Sequence, residues 1–191
     1  MARYRFHPLT PARWEDFERL FGARGACGGC WCMWFRFSNA EFERRKGAGN
    51  KRAMKALVRK GAAPGILAYW GGEPVGWCAV APRAEYTRLE RSRILKPVDD
   101  QPVWSVVCFF IHREHRARGL TVALLREAAR YVKQRGGTIL EGYPVDPKQQ
   151  MPPAFAYHGL AAAFREAGFE ECARRSPTRP IMRYYVGRHR P

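Results

Sequence analysis

Residues 103–121 read Val-Trp-Ser-Val-Val-Cys-Phe-Phe-Ile-His-Arg-Glu-His-Arg-Ala-Arg-Gly-Leu-Thr, and this stretch decides the fold. Its first half is the most apolar run of the chain and does not alternate, which predicts a central strand covered on both faces. Apolar residues at helical spacing predict an amphipathic helix over residues 119–135, which Gly136-Gly137 ends. A further strand is predicted over residues 138–140, so the segment forms a β-α-β unit.

Shorter elements flank this unit on both sides. Two strands, residues 66–70 and 74–81, are joined by a Gly-Gly turn typical of a β-hairpin. Other strands are predicted over residues 3–7, 170–174 and 180–186, and other helices begin at the N-cap residues Thr10 and Ser38, at Lys51 and at Leu160. Gly47 and Gly49 are expected to break the chain before the helix at Lys51, and residues 82–102 to form a long loop. Strands gathered early, one crossover, and a terminal helix with strands indicate an α+β or mixed α/β domain.

Length and composition exclude several classes of protein. The chain has 191 residues, and its hydrophobic share of 46% with 27% charged residues fits one folded domain better than a disordered chain. No apolar run is long enough to span a membrane, and the N-terminus has no apolar signal segment, so a cytoplasmic protein without membrane contact is expected. The net charge of +17 favours an anionic partner, which could be nucleic acid, anionic lipid or a phosphorylated cofactor.

The six cysteines do not predict a metal site. The sequence Cys27-Gly-Gly-Cys30-Trp-Cys32 looks like half of a zinc site, but a structural zinc needs a second ligand pair at suitable spacing. The only close histidine pair, His112 and His115, lies far along the chain. We therefore expect reduced, partly buried thiols and no bound metal.

The turn between the central strand and the long helix predicts an anion site. Unpaired backbone N–H groups and a partial positive charge gather at a helix N-terminus. Gly119 allows an anion to approach the backbone closely, and Arg116 and Arg118 add full charges. A pyrophosphate is the kind of group that this arrangement holds, although an ordinary basic turn that caps a helix would have the same residues.

The sequence Arg116-Ala117-Arg118-Gly119-Leu120-Thr121 resembles the acetyl-CoA signature Arg/Gln-x-x-Gly-x-Gly/Ala of the GCN5-related N-acetyltransferases, the GNAT superfamily. Thr121 replaces the usual small residue at the last position. A second match is Gly168-Phe169, which resembles the Gly-Phe that follows the last helix in many members. With the order of elements included, the resemblance covers the whole chain.

This resemblance implies a fold and a role for each segment of the chain. The expected fold is a twisted, mostly antiparallel sheet of about six or seven strands with a splayed parallel pair and helices on both faces. One acetyltransferase domain would cover residues 1–191. Within it, residues 1–64 would supply helices on the acceptor side, residues 65–145 the central strands and the CoA-binding helix, and residues 146–191 the C-terminal helix and strands.

The resemblance also implies acetyl-CoA as co-substrate, bound by two groups of residues. The pyrophosphate would lie at the residues of the signature, Arg116, Ala117, Arg118, Gly119, Leu120 and Thr121. The pantetheine arm would lie in the wedge between the splayed strands and bind the free strand edge much as an added strand would, at Phe109, Phe110 and Ile111.

The implied reaction is direct attack of a primary amine on the thioester within a ternary complex. A base must take a proton from the ammonium group, and Glu141 is the first candidate and Glu85 the second. Many members use a tyrosine as general acid where this chain has Phe164. Tyr157, Tyr143 or a water molecule could replace it.

The region between the first two helices would line the acceptor site. Trp31 and Trp34 could form an apolar or cation-binding wall there, or they could be core residues. The acceptor amine is not identified by the sequence, and the resemblance leaves a homodimer open. Two alternatives to the enzyme also stay open at this point: a basic nucleic-acid-binding module, and a CoA-binding protein without efficient catalysis.

Overall fold

A seven-stranded sheet, with the strand order β1-β2-β3-β4-β5-β7-β6, runs through the computed structural model, which describes residues 3–147 and 157–187. The strands are β1 (Arg5–Pro8), β2 (Gly65–Trp70), β3 (Glu73–Pro82), β4 (Trp104–Ile111), β5 (Ile139–Gly142), β6 (Glu170–Arg174) and β7 (Pro180–Tyr185). The helices are α1 (Trp14–Phe21), α2 (Asn39–Arg45), α3 (Ala48–Arg59), α4 (Thr87–Glu90), α5 (Leu120–Gln134) and α6 (Ala161–Ala167). Among these seven strands, only β4 and β5 pair in parallel, which confirms the predicted mixed α/β architecture with one parallel pair.

Two apolar cores lie on opposite faces of the sheet. On one face, α1, α3 and α4 pack against Trp77 and Val107. On the other, α5 and α6 pack against Cys78 and Val106. Because both faces are covered, neighbouring residues of β3 and β4 are buried alternately in the two cores, and this explains why their sequences lack alternation.

Most of the predicted elements are confirmed within a few residues of their predicted ends. The Gly-Gly turn joins β2 to β3, and Ser38 caps α2 by accepting a hydrogen bond from the Glu41 backbone N–H at 3.3 Å. One prediction was wrong: Gly49 lies inside α3 and does not break it, whereas Gly47, with φ of 76°, does end the preceding segment. The segment 82–102 is a loop that contains the short helix α4, which is anchored by the buried side chain of Leu89.

The pairing of β4 with β5 is short, and this positions the site. Residues pair in parallel only from Trp104 to Val106, after which the two strands separate. Val107 is an extra residue in β4 relative to β3, because Ala79 pairs with Cys108 and Val80 with Val106. Such a β-bulge bends the strand, and the edge of β4 beyond it has no partner strand on the β5 side.

Two further observations bound the described structure. No helix in residues 3–147 and 157–187 is long and apolar enough to cross a membrane. Residues 1–2, 148–156 and 188–191 of the predicted single domain lie outside the described residues.

Candidate functional site

The turn from β4 into α5 presents an open backbone at the N-terminus of a long helix. Gly119 is the N-cap residue with φ of 74°, and a Cβ built on it would meet no heavy atom within 4 Å. The first turn of α5 has no acidic residue, and no side chain caps it, so its N–H groups are free to meet an anion. Ala117 also has a positive φ, 56°, which is a strained conformation for a residue with a Cβ.

The arginines of this turn add positive charge beside those N–H groups. The side chains of Arg116 and Arg118 are exposed, and Arg116 Nε donates to the Ile111 carbonyl oxygen at 3.0 Å. Leu120 differs from its neighbours because its side chain is buried under the sheet, so only its backbone faces the turn. The turn therefore has the features of an anion site, and it is the turn for which the sequence predicts a bound pyrophosphate.

The free edge of β4 runs from the bulge toward this turn. Phe109 is buried against Phe164 on the α5 face, with ring centroids 6.1 Å apart, while Phe110 packs on Phe21 on the other face. Side chains on both faces hold the strand in place, which leaves the backbone of residues 108–111 as the surface available on the β5 side.

Glu141 lies in a buried network of charged and hydroxyl groups under the splay. Its exposure is 0%, its Oε2 accepts from Arg183 Nε at 2.7 Å, and its Oε1 accepts from the Tyr143 hydroxyl at 2.7 Å. Arg83 Nη1 donates to both the Tyr143 hydroxyl, at 2.7 Å, and Glu141 Oε1, at 3.3 Å. Ser105 completes the network, with its Oγ 2.8 Å from the Tyr143 hydroxyl.

This network limits what two of the predicted catalytic residues can do. Glu141 is fully buried and its oxygens accept hydrogen bonds from buried donors, so a substrate amine has no open path to it. Burial, and then the Glu141 charge, raise the pKa of Tyr143 well above its usual value. The contacts of both residues favour a role in holding β4, β5 and β7 together.

Tyr157 and His158 lie next to the bulge, on the face of the sheet that α1, α3 and α4 cover. Their rings stack with centroids 4.0 Å apart, and His158 Nδ1 lies 3.2 Å from the Val107 carbonyl oxygen. Because a carbonyl oxygen only accepts, Nδ1 is the donor in this hydrogen bond. Burial lowers the pKa of His158 to about 3, and burial also raises the pKa of Tyr157. Tyr157 thus stays protonated at neutral pH, as a proton donor must.

The predicted acceptor wall is divided between the core and the site. Trp31 is 4% exposed and stacks on Phe21, which makes it a core residue. Trp34 is half-buried, but one face of its ring is covered by the Arg88 guanidinium, 3.6 Å from the ring centroid. Neither ring therefore forms an open wall for a substrate cation. Glu85, the second candidate for the base, is exposed and pairs with Arg36 at 2.5 Å.

The structure also brings together arginines that the sequence did not single out. Arg36 and Arg179 lie in loops and Arg88 in α4, where its backbone N–H donates at 3.2 Å to the carbonyl oxygen of Phe35, the neighbour of Arg36. Arg88 and Arg179 are close enough to Tyr157 to affect its pKa. Tyr86 contacts Arg36, whose guanidinium carbon is 4.8 Å from the Tyr86 ring centroid. No spacing in the sequence marks these residues, because their proximity depends entirely on tertiary structure.

The cysteines contribute thiols and no metal centre within the described part of the chain. All six are free, and residues 3–147 and 157–187 contain no group of three or more potential ligands placed to hold a metal ion. Cys32 is buried and accepts a hydrogen bond from Trp77 Nε1 at 3.1 Å. A hydrogen bond with Cys108 is the main cause that lowers the pKa of the Cys32 thiol.

Comparisons with known proteins relate this arrangement to one family. The model of the acetyltransferase (GNAT) family matches residues 31–150. None of the curated proteins compared is a significant match. Many solved structures have similar folds at low sequence identity, among them the next three. A PaiA N-acetyltransferase from Thermoplasma acidophilum in complex with coenzyme A is 15% identical, with TM-score 0.53 over 96% of this chain and 99% of that chain. A GNAT acetyltransferase from Listeria monocytogenes is 8% identical, with TM-score 0.59 over 96% and 95%. One from Streptococcus pneumoniae is 13% identical, with TM-score 0.54 over 97% and 100%.

Proposed function

Since this chain belongs to the GNAT acetyltransferase family, whose members use acetyl-CoA as co-substrate, we propose that it transfers the acetyl group to a primary amine by direct attack within a ternary complex. The observation that carries the proposal is the splayed edge of β4, which leads directly into the open N-terminus of α5. Acetyl-CoA supplies an activated thioester. The residues of this chain would bind acetyl-CoA, keep water away from the thioester, and accept or donate the protons that move during the transfer.

The described residues fit acetyl-CoA at both ends of the proposed groove. The first-turn N–H groups of α5 with Arg116 and Arg118 would hold the pyrophosphate, and the space above Gly119 leaves room for it. The backbone of residues 108–111 would bind the pantetheine amides, since it has no β5 partner and carries its own donors and acceptors. Thr121, half-buried in the first turn, brings a hydroxyl to the same place.

Acetyl transfer needs an acid for the departing thiolate, and Tyr157 is the residue we propose. The new N–C bond forms as the C–S bond breaks, the amine loses one proton and the thiolate gains one. Tyr157 lies beside Cys108 and His158 on the acceptor side of the bulge, and its raised pKa keeps it protonated. Phe164 cannot serve, because it has no proton to give and is buried against Phe109.

For the base, the two predicted carboxylates differ in access. Glu141 is enclosed by Arg83, Arg183 and Tyr143, so we assign it a structural role. The Glu85 side chain is 40% exposed on the acceptor side, so it is the carboxylate that can accept a proton from the amine, directly or through water.

Titration of the purified protein with acetyl-CoA, followed by calorimetry at moderate salt, tests the proposal. We expect saturable binding of about one molecule per chain and thioester consumption that depends on an added amine. Folded protein that does not bind acetyl-CoA would contradict the proposal. That outcome would favour the nucleic-acid alternative, for which affinity should fall steeply with salt concentration, as the +17 charge predicts.

A further inference from the structure

Several buried donors near the splay lack an acceptor. Within the described residues, six side-chain N or O atoms are buried without a hydrogen-bond partner. Two are Trp14 Nε1 and Asn50 Oδ1, on α1 and α3, and the other four are Arg36 Nη2, Tyr86 Oη, Arg88 Nη2 and Arg179 Nε. Each of these four can donate a hydrogen bond, and buried donors in folded proteins are almost always paired. A group of unpaired donors beside a proposed substrate site therefore points to a ligand that accepts hydrogen bonds.

Contacts connect the first two donors to the bulge of β4. The Val107 carbonyl oxygen binds His158, whose ring packs edge-on against Phe35 with centroids 5.5 Å apart. Phe35 in turn contacts Tyr86 at 6.5 Å, and the Arg36 guanidinium covers the Tyr86 ring. The unpaired atoms of Arg36 and Tyr86 thus belong to the packed layer that begins at the bulge.

The other two donors come from α4 and from the residue before β7. The Arg88 backbone N–H donates to the Phe35 carbonyl oxygen at 3.2 Å, so Arg88 lies against the same packed layer as Arg36 and Tyr86. Arg88 donates to the carbonyl oxygen of Trp34 and to the side-chain oxygen of Asn39. The partner of Arg179 Nη2 is the Tyr143 carbonyl oxygen, 3.1 Å away.

These two arginines keep their full positive charge without a carboxylate beside them. Neither Arg88 nor Arg179 makes an ion pair with another described residue, and Arg36 is paired only through its Nη1, with Glu85. The reacting end of acetyl-CoA is a neutral thioester, so it cannot neutralise this charge. Since Arg36 is already paired with Glu85, the acceptor is the remaining source of negative charge for Arg88 and Arg179.

We propose that the acceptor is a small amine that also carries a carboxylate or phosphate group, bound by Arg88, Arg179 and the unpaired donors of Arg36 and Tyr86. This inference rests on the proposed acetyltransferase function and narrows its substrate class. Guanidinium groups bind both anions in a forked, charge-assisted geometry, so the shared chemistry is an anionic oxygen group. Polyamines and other polycations are disfavoured by the same arginines.

Matched pairs of acceptors test this on the wild-type protein. The pairs are β-alanine with 3-aminopropanamide, and O-phosphoethanolamine with ethanolamine, and spermidine serves as the polycation. We expect at least one anionic member to exceed its neutral partner by about tenfold or more in kcat/KM, a difference of about 1.4 kcal/mol, and spermidine to be the poorest acceptor. The pair with the larger ratio tells carboxylate from phosphate. Equal rates within both pairs, or a preference for spermidine, would overturn the inference.

Variants locate the preference within the protein. Arg179→Gln and Arg88→Gln should reduce the ratio between anionic and neutral acceptors toward one, mainly through KM for the anionic member. Arg59→Gln, on the exposed end of α3, is the matched control and should keep the wild-type ratio. A ratio that is unchanged in both Arg179→Gln and Arg88→Gln would overturn the inference, provided that their unfolding curves match the wild type.

Failure of this inference can be told from failure of the proposed function. If acetyl-CoA binds and neutral amines are acetylated as well as anionic ones, only the inference fails. If acetyl-CoA binds but no amine is acetylated, the same pairs are titrated by calorimetry into the CoA-saturated protein. Preferential binding of an anionic member supports the inference, and no preference overturns it. If acetyl-CoA does not bind, the proposed function fails, and the inference fails with it.

Discussion

Replacing Gly119 by valine should abolish acetyl-CoA binding while the fold remains intact. The left-handed φ of 74° at this residue costs a side chain with a Cβ about 1–2 kcal/mol. A Cβ at this position would meet no heavy atom within 4 Å, so no Cβ clash adds to that cost. For a chain of 191 residues, 1 kcal/mol corresponds to about 2–4 °C, and the melting temperature should therefore fall by about 2–8 °C.

The same helix offers a matched control. Gly136 follows the C-terminal end of α5 with φ of 76°, and a Cβ there would also meet nothing within 4 Å. Gly136→Val therefore has the same backbone cost at the end of the helix that carries no proposed ligand. We expect the two variants to have similar melting temperatures.

Only Gly119→Val should lose acetyl-CoA. Its isopropyl group would occupy the space in which a pyrophosphate approaches the first-turn N–H groups, and affinity should fall by more than about tenfold, or 1.4 kcal/mol. Calorimetric titration of both variants and the wild type measures this directly. Wild-type affinity in Gly119→Val would refute the placement of the pyrophosphate, and equal losses in both variants would show that strain alone explains the effect.

Three other expectations can be tested separately. Tyr157→Phe should lower kcat by roughly 100-fold or more with acetyl-CoA affinity unchanged, and a kcat near the wild-type value would remove Tyr157 as the acid. Glu141→Ala should cost about 1.5–3 kcal/mol in urea unfolding, because Arg83 and Arg183 lose a buried acceptor and keep only Glu90 and Asp99 as ion-pair partners. Glu171→Ala, in a more exposed ion pair, should cost less than about 1 kcal/mol, and similar midpoints would contradict the structural role. The pKa of His158 is about 3 in the folded protein and 6.5 without burial. Between pH 6.5 and pH 3 the unfolded chain therefore binds a proton at His158 that the folded protein does not, and the free energy of unfolding decreases as the pH is lowered. His158 should lower the free energy of unfolding by about 2 kcal/mol between pH 7 and pH 5, and His158→Gln should lack this decrease. Unfolding midpoints with the same pH dependence in both proteins would exclude this role of His158.

The elements that the sequence predicted well depend on local signals. The turn at Gly71 and Gly72 and the apolar stripe of α5 are determined by neighbouring residues, and both are found where expected. The strand–turn–helix around Gly119 is equally local, and its positive φ is the reason that a glycine is needed there. The half of the candidate site formed by this turn could therefore be predicted from sequence.

The other half depends on contacts between distant segments. Whether Glu141 faces solvent or Arg183 is decided by the pairing of β5 with β7, and an isolated glutamate carries no mark of that burial. The bulge at Val107 lies in an unbroken apolar run, so the sequence does not reveal where β4 and β5 separate. Trp31 could have lain in the core or at the site, since a tryptophan suits either environment.

The position of β7 between β5 and β6 has a consequence for how the protein is made. β5 is synthesised well before β7, yet Glu141 of β5 meets its partner Arg183 only when β7 has been added. Until then Glu141 has Arg83 but not Arg183 as an ion-pair partner, and the edge of β5 that will receive β7 stays unpaired. A nascent chain that ends at residue 142 therefore carries the complete strand–turn–helix of β4 and α5 on an unfinished sheet. The sheet of the described residues closes only when β7 has been synthesised.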